Sequence, residues 1–172
     1  DSYLCKRAIE SGRLDTAQVY FNMINPTAAH AKPRHSSSQM IQKKSTGQDF
    51  TGVFHTCEEF DVGIIAIRTL AAGILATKER HGRESIITKG NTLADDERKA
   101  HGVHELLGEQ FGTKAQTALR YALSFDQLSC VNFAASDFIQ FVEGVEATVM
   151  GSLPADIIKT LDQLYDRDFI NH

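Results

Sequence analysis

Long apolar runs are missing from this chain, and so are paired cysteines. No stretch approaches the roughly 18 consecutive apolar residues of a membrane-crossing helix, so no membrane partner is expected. No charged segment followed by an apolar one opens the chain in the manner of a signal peptide. Cysteine occurs three times, at Cys5, Cys57 and Cys130, far apart and without a CxxC pair. That pattern fits buried or idle thiols in a reducing compartment better than a disulfide framework or a zinc site. A cytoplasmic location is therefore expected. An excess of basic charge is absent too. The net charge of −4 favours neither nucleic acid nor an anionic membrane surface.

What is present suffices for one domain. The chain has 172 residues, 42% of them hydrophobic, enough to bury a core. It opens on Asp1 rather than Met, which leads us to expect part of a longer polypeptide.

Residues 3–11 read as a helix, with Leu4, Ala8 and Ile9 on one face and Gly12 to end it. Thr16 to Ile24, rich in β-formers, reads as a strand that Asn25-Pro26 stops. Residues 27–49 are polar and uneven and are expected to be a flexible loop insertion. A short helix follows over 50–60. Val62 to Ile67 is the near-continuous apolar run of a strand buried on both faces. Leu70 to Ala76 turns helical, and 78–94 is a second irregular polar stretch. Asp95 to Phe111 reads as a helix with acids in its first turn, where the helix dipole favours them. Gly112-Thr113 breaks the pattern, and Thr113 caps a further helix through about Ser124. Ser129 to Ala135 is a third strand, and Asp137 to Thr148 and Pro154 to Tyr165 are the last helices.

Strands alternating with helices predict an α/β fold with a parallel sheet. Three strands alone would leave an open edge on a buried-type sheet, which points to missing strands. Two strand ends stand out. Gln18-Val-Tyr-Phe-Asn22 and Val62 to Gly73 each run from apolar strand into a polar or glycine-rich turn. In strand–helix barrels the C-terminal strand ends carry chemistry and phosphate binding, yet 172 residues fall well short of the roughly 250 of a complete barrel.

Four segments in order carry a family resemblance. Ser11-Gly12-Arg-Leu-Asp15 leads into Gln18 to Asn22. Val62 to Gly73 forms a strand and a Thr-Leu-Ala-Ala-Gly turn. Ala115-x-x-Ala118-Leu-Arg-Tyr-Ala-Leu123 forms a helix. Val131 to Glu143 forms a strand end and the turn into a helix. From about residue 8 to about residue 148 the chain resembles the aldo-keto reductases, in the C-terminal part of their barrel. The resemblance implies a partial (β/α)8 TIM barrel, with residues 1–172 supplying its last three strands and their helices. It implies reversible hydride transfer between NAD or NADP and a small carbonyl or alcohol. The remainder of the same barrel would be the chain's partner. The family's catalytic Asp, Tyr, Lys and His belong to N-terminal strands, so no catalytic residue is assigned here.

The cofactor candidates follow from the same resemblance. Gln18 stands where the family holds the nicotinamide carboxamide, and an amide offers both donor and acceptor. Phe21 stands where an aromatic ring stacks on nicotinamide. Arg68, Thr69, Leu70 and Gly73 form the pyrophosphate turn, Thr69 replacing a usual Pro at a cost in rigidity. Ala134, Ser136, Asp137, Gln140 and Glu143 are the adenosine candidates. Each has a plain structural reading beside it: core packing for Phe21, an ion pair for Arg68, a capping box for Asp137-x-x-Gln140. Residues 131–148 contain no Lys or Arg, so no strong preference for a 2′-phosphate is expected. His101 and His104 are read as a solvated helix face, and no metal is expected. The alternative to an enzyme is a degenerate homologue that binds a nicotinamide nucleotide or a partner without turnover. A weaker third reading is an unrelated barrel that binds sugar phosphates.

Overall fold

The computed structural model describes residues 2–32, 49–80, 82 and 92–171. Most of the expected loop at 27–49, and most of the polar stretch at 78–94, lie outside the described residues. Helix α1 (Ser2–Ile9) leads to strand β1 (Thr16–Tyr20), then α2 (Val53–Glu59) and β2 (Gly63–Ile67). Two helices, α3 (Leu93–Leu107) and α4 (Lys114–Ala122), precede β3 (Leu128–Val131), and α5 (Phe138–Met150) and α6 (Ala155–Asp166) complete the chain. Short 3-10 turns occupy Thr27–Ala29 and Ala71–Gly73. The expected order of elements holds, except that Leu70 to Ala76 forms this one 3-10 turn rather than a helix.

The sheet is parallel, in the order β1-β2-β3. Thr16 pairs with Gly63 and Tyr20 with Ile67. β3 follows with a register irregularity between Ile64 and Ile65. Sequential parallel strands with intervening helices are the unit of a strand–helix barrel. In β2 only Ile64 and Ala66 are buried, while Gly63, Ile65 and Ile67 are half-buried. The expectation of burial on both faces is corrected here: helices cover one face, and no layer covers the other among the described residues.

Local chemistry sets the helix ends. Thr113 and Gln116 form a full capping box at the start of α4. Thr92 Oγ1 accepts from the Asp95 N–H at 3.1 Å to begin α3. The far end of α3 lies at Leu107, short of the expected Phe111, because Gly108 takes a positive φ of 57° and ends it.

Between sheet and helices sits an aromatic cluster. The Phe21 ring lies 4.9 Å from Phe54, 5.6 Å from Tyr121 and 4.8 Å from Phe125. Phe21 and Val19 share the helix-facing side of β1, since strand side chains alternate. Burial pushes the Tyr121 phenol up, so it stays neutral in this cluster. Helix α5 packs on α4, and its buried residues are Gly144 and Ala147. Its other face carries exposed Phe138, Ile139, Phe141, Val145 and Val149.

The three thiols differ. Cys57 is buried, Cys5 is intermediate and Cys130 is exposed on β3, and all three are free thiols. Burial first, then Cys5 and Glu58, push the Cys57 thiol up to about 11 from 9.0. Its neutral form therefore stabilises the fold below pH 9.0, and that contribution falls as pH rises through about 11. In the native protein a thiol-alkylating reagent should label Cys130 and spare Cys57, which becomes reactive on unfolding. Equal labelling of both would contradict the packing. Phe21→Ala should cost about 3–5 kcal/mol of stability, read from the midpoint of urea unfolding.

Candidate functional site

β1 and β2 end at one level, and the Phe21 N–H still reaches the Ile67 carbonyl at 3.1 Å. Just beyond them Asn22 is fully buried. Its Oδ1 accepts from the N–H groups of Ile24 at 3.0 Å and Asn25 at 2.9 Å, an Asx-type turn. Its Nδ2 donates to the carbonyl of Arg68 at 2.9 Å. Asn25-Pro26 thus ends the strand as expected, but the turn is built by Asn22.

The segment after β2 has an unusual backbone. Arg68, Ala71 and Ala72 adopt φ values of 59°, 48° and 57°, and Gly73 follows at 96°. Glycine takes this region freely, whereas other L residues pay about 1–2 kcal/mol each. Such strain persists where surrounding contacts over-determine it, and it clusters at ligand sites. The contacts here are specific. The Ala71 N–H donates to the Arg68 carbonyl at 2.8 Å, and the Gly73 N–H to the Leu70 carbonyl at 2.9 Å. Thr69 is buried, and its hydroxyl donates to the Asn132 carbonyl at 3.2 Å. A proline could not make that bond, so the substitution costs less rigidity than expected.

This segment forms one wall of an open cleft of about 940 Å³. The opposite wall is the stretch after β3 and the first turns of α5. Gln18 is exposed on β1 and reaches the cleft, as do Arg68, Thr69, Leu70 and Gly73. Ala134, Ser136, Gln140 and Glu143 line the far side. Nine of the eleven candidates therefore converge on one cleft.

Phe21 and Asp137 do not. Phe21 is 0% exposed in the aromatic cluster, on the strand face opposite Gln18. Stacking on a ligand is excluded for it by its position. Asp137 faces solvent and caps α5, its Oδ1 accepting from the Gln140 N–H at 2.9 Å. The expected capping box is modified. Gln140 Oε1 accepts from the Ser136 N–H at 3.0 Å and hydroxyl at 2.9 Å, not from Asp137.

Sequence reasoning missed Ile67, Asn132 and Phe133, which also line the cleft. Ile67 was legible as the inner-face continuation of Ile65. Asn132 and Phe133 were assigned to the interior of a strand that in fact ends at Val131. Among the described lining residues only Arg68 and Glu143 carry charge. Glu143 accepts a short hydrogen bond from the Thr113 hydroxyl, tying α5 to the start of α4. Burial pushes the Tyr20 phenol up, opposed by a hydrogen bond with the Asn22 side chain. His101 pairs with Glu105 at 3.1 Å, and His104 faces the Leu75 carbonyl at 3.3 Å, so the two imidazoles serve separate contacts.

Gly144 has a structural cause. A Cβ there would lie 2.4 Å from the Phe133 ring, far inside contact distance. Gly144→Ala should therefore lower stability by about 1–3 kcal/mol through overpacking, outweighing a helix-propensity gain of about 1 kcal/mol. Urea unfolding reads the sign, and a net gain would contradict the close approach.

A profile of the aldo/keto reductase family matches residues 27–166, which begins after β1. Among curated proteins none matches this chain. Among solved structures, the holo form of the aldo-keto reductase AKR11C1 from Bacillus halodurans superposes with a TM-score of 0.65 at 14% identity. That match covers 95% of this chain and 46% of the reductase. The apo form of the same protein gives 0.59 at 15% identity, covering 95% of this chain and 47% of that one. The chain thus spans about half the length of the structures it matches, and its fold matches part of their barrel. With the profile covering most of the sequence, this chain belongs to the aldo/keto reductase family.

Proposed function

We propose that this chain supplies the cofactor-binding side of an NAD(P)-dependent oxidoreductase that interconverts a small carbonyl and an alcohol. The supporting observation is the convergence of nine expected cofactor residues on a single cleft between two barrel-strand ends. The donor set suits a dinucleotide. Gln18 offers an exposed amide for the nicotinamide carboxamide. Arg68 and the strained turn through Gly73 offer a cation and closely approachable backbone for pyrophosphate. Ser136, Gln140 and Glu143 offer hydroxyl, amide and carboxylate for the adenosine half. When bound, the nicotinamide supplies or takes up the hydride. The chain's own part is to bind and orient that group; the acid and lysine of the reaction belong to the rest of the barrel. Among the described residues no helix is long and apolar enough to cross a membrane, and the proposal places the protein in the cytoplasm.

The cleft also bears on cofactor choice. Residues 131–148 bring no cation, and Glu143 would oppose a 2′-phosphate. NADH and NADPH titrated into the protein with its full barrel should bind within about tenfold of each other. Arg68→Ala should weaken both by roughly tenfold, the scale of one charge-assisted hydrogen bond. The 172-residue chain alone should reduce no carbonyl substrate. Turnover by it, or a tenfold preference for NADPH, would contradict the proposal.

A further inference from the structure

The cleft wall at Arg68 is held from below by a side chain that does not line it. We infer that Asn22 is a positioning residue: its amide holds Arg68 in the left-handed conformation and so aims the Arg68–Gly73 turn into the cleft. The functional half of this inference rests on the cofactor reading, and the conformational half does not.

Two donors pin the Arg68 carbonyl. Asn22 Nδ2 reaches it at 2.9 Å and the Ala71 N–H at 2.8 Å. A carbonyl oxygen has two lone pairs, so both are engaged. Arg68 makes these bonds with a φ of 59°, a conformation its Cβ disfavours. Without the Asn22 donor, the Ala71 N–H alone of these two would remain, and the peptide could turn its carbonyl away more readily. The next residue cannot follow easily, since Thr69 is buried and bonded to Asn132. Arg68 therefore bears one share of the turn's strain, beside Ala71 and Ala72.

Asn22 is itself immobile. Its Oδ1 is engaged by Ile24 and Asn25, which fixes the amide and points Nδ2 across to β2's end. The geometry needs both functions of an amide, acceptor to one strand's turn and donor to the other's. Among side chains of this size only asparagine has both in fixed planar geometry. Aspartate keeps the acceptor and lacks the donor when ionised.

Asn22→Asp separates the two roles in a chain of nearly unchanged shape. Hydrogen exchange followed by mass spectrometry should show faster exchange across residues 68–73, with 24–30 unchanged. The folding equilibrium should shift by roughly tenfold or more. Adding Arg68→Gly, which takes positive φ freely, should recover at least half of that loss on a logarithmic scale. Asn22→Ala should behave likewise but also loosen 22–25. Absence of rescue by Arg68→Gly, or exchange that accelerates only at 22–25, would overturn the inference. NADH is the binding probe, and Asn22→Asp should weaken it about tenfold. If the rescue appears but the parent protein fails to bind NADH, the latch stands and the cofactor reading falls. If NADH binds and no rescue appears, the latch falls and the cofactor reading stands.

Discussion

One buried amide joins the ends of the first two strands. Asn22 completes the turn after β1 with its oxygen and reaches the carbonyl of Arg68 with its nitrogen. A fully buried amide is costly unless it is satisfied on both sides, and here it is. The consequence is geometric. Two segments far apart in sequence end at a common level, and the turn after β2 is held in a conformation its residues would not choose alone. Thr69 adds a second tie, to the end of β3. The three strand ends are thus linked in a row, and the cleft is the space above them.

Beneath that row lies an apolar layer of a different kind. The Phe21, Phe54, Tyr121 and Phe125 rings fill the space between the sheet and helices α2 and α4. Aromatic packing is large in area and tolerant in direction, so it anchors the strands without dictating the turns. The polar ties dictate them. The opposite sheet face and the outer face of α5 remain uncovered among the described residues, as suits one side of a barrel.

Much of the fold was legible because each element carries its own local signal. The helices announced themselves by capping residues such as Thr113 and by acids at Asp95 and Asp96. The apolar run to Ile67 marked a parallel strand. Strand limits were less legible: β3 stops at Val131, where apolar composition continues through Phe133 to Ala135. The site was readable as a set of candidate positions named by the resemblance, and the structure brings nine of them to one cleft. Phe21 was misassigned because an aromatic at a strand end suits either face. Its partners Phe54, Tyr121 and Phe125 are too distant in sequence to reveal which one.

The sequence by itself determined the order of strands and helices, the parallel sheet and the family, since these rest on periodicity, capping and motif order. Only the tertiary structure decided which side of β1 faces ligand, why residue 144 is glycine and how Arg68 is held. Each of those depends on contacts between separate elements: Phe21 with Tyr121, Gly144 with Phe133 of the preceding segment, and Asn22 with Arg68. Local propensity is blind to such pairs, because their energy exists only once the strands have been brought side by side.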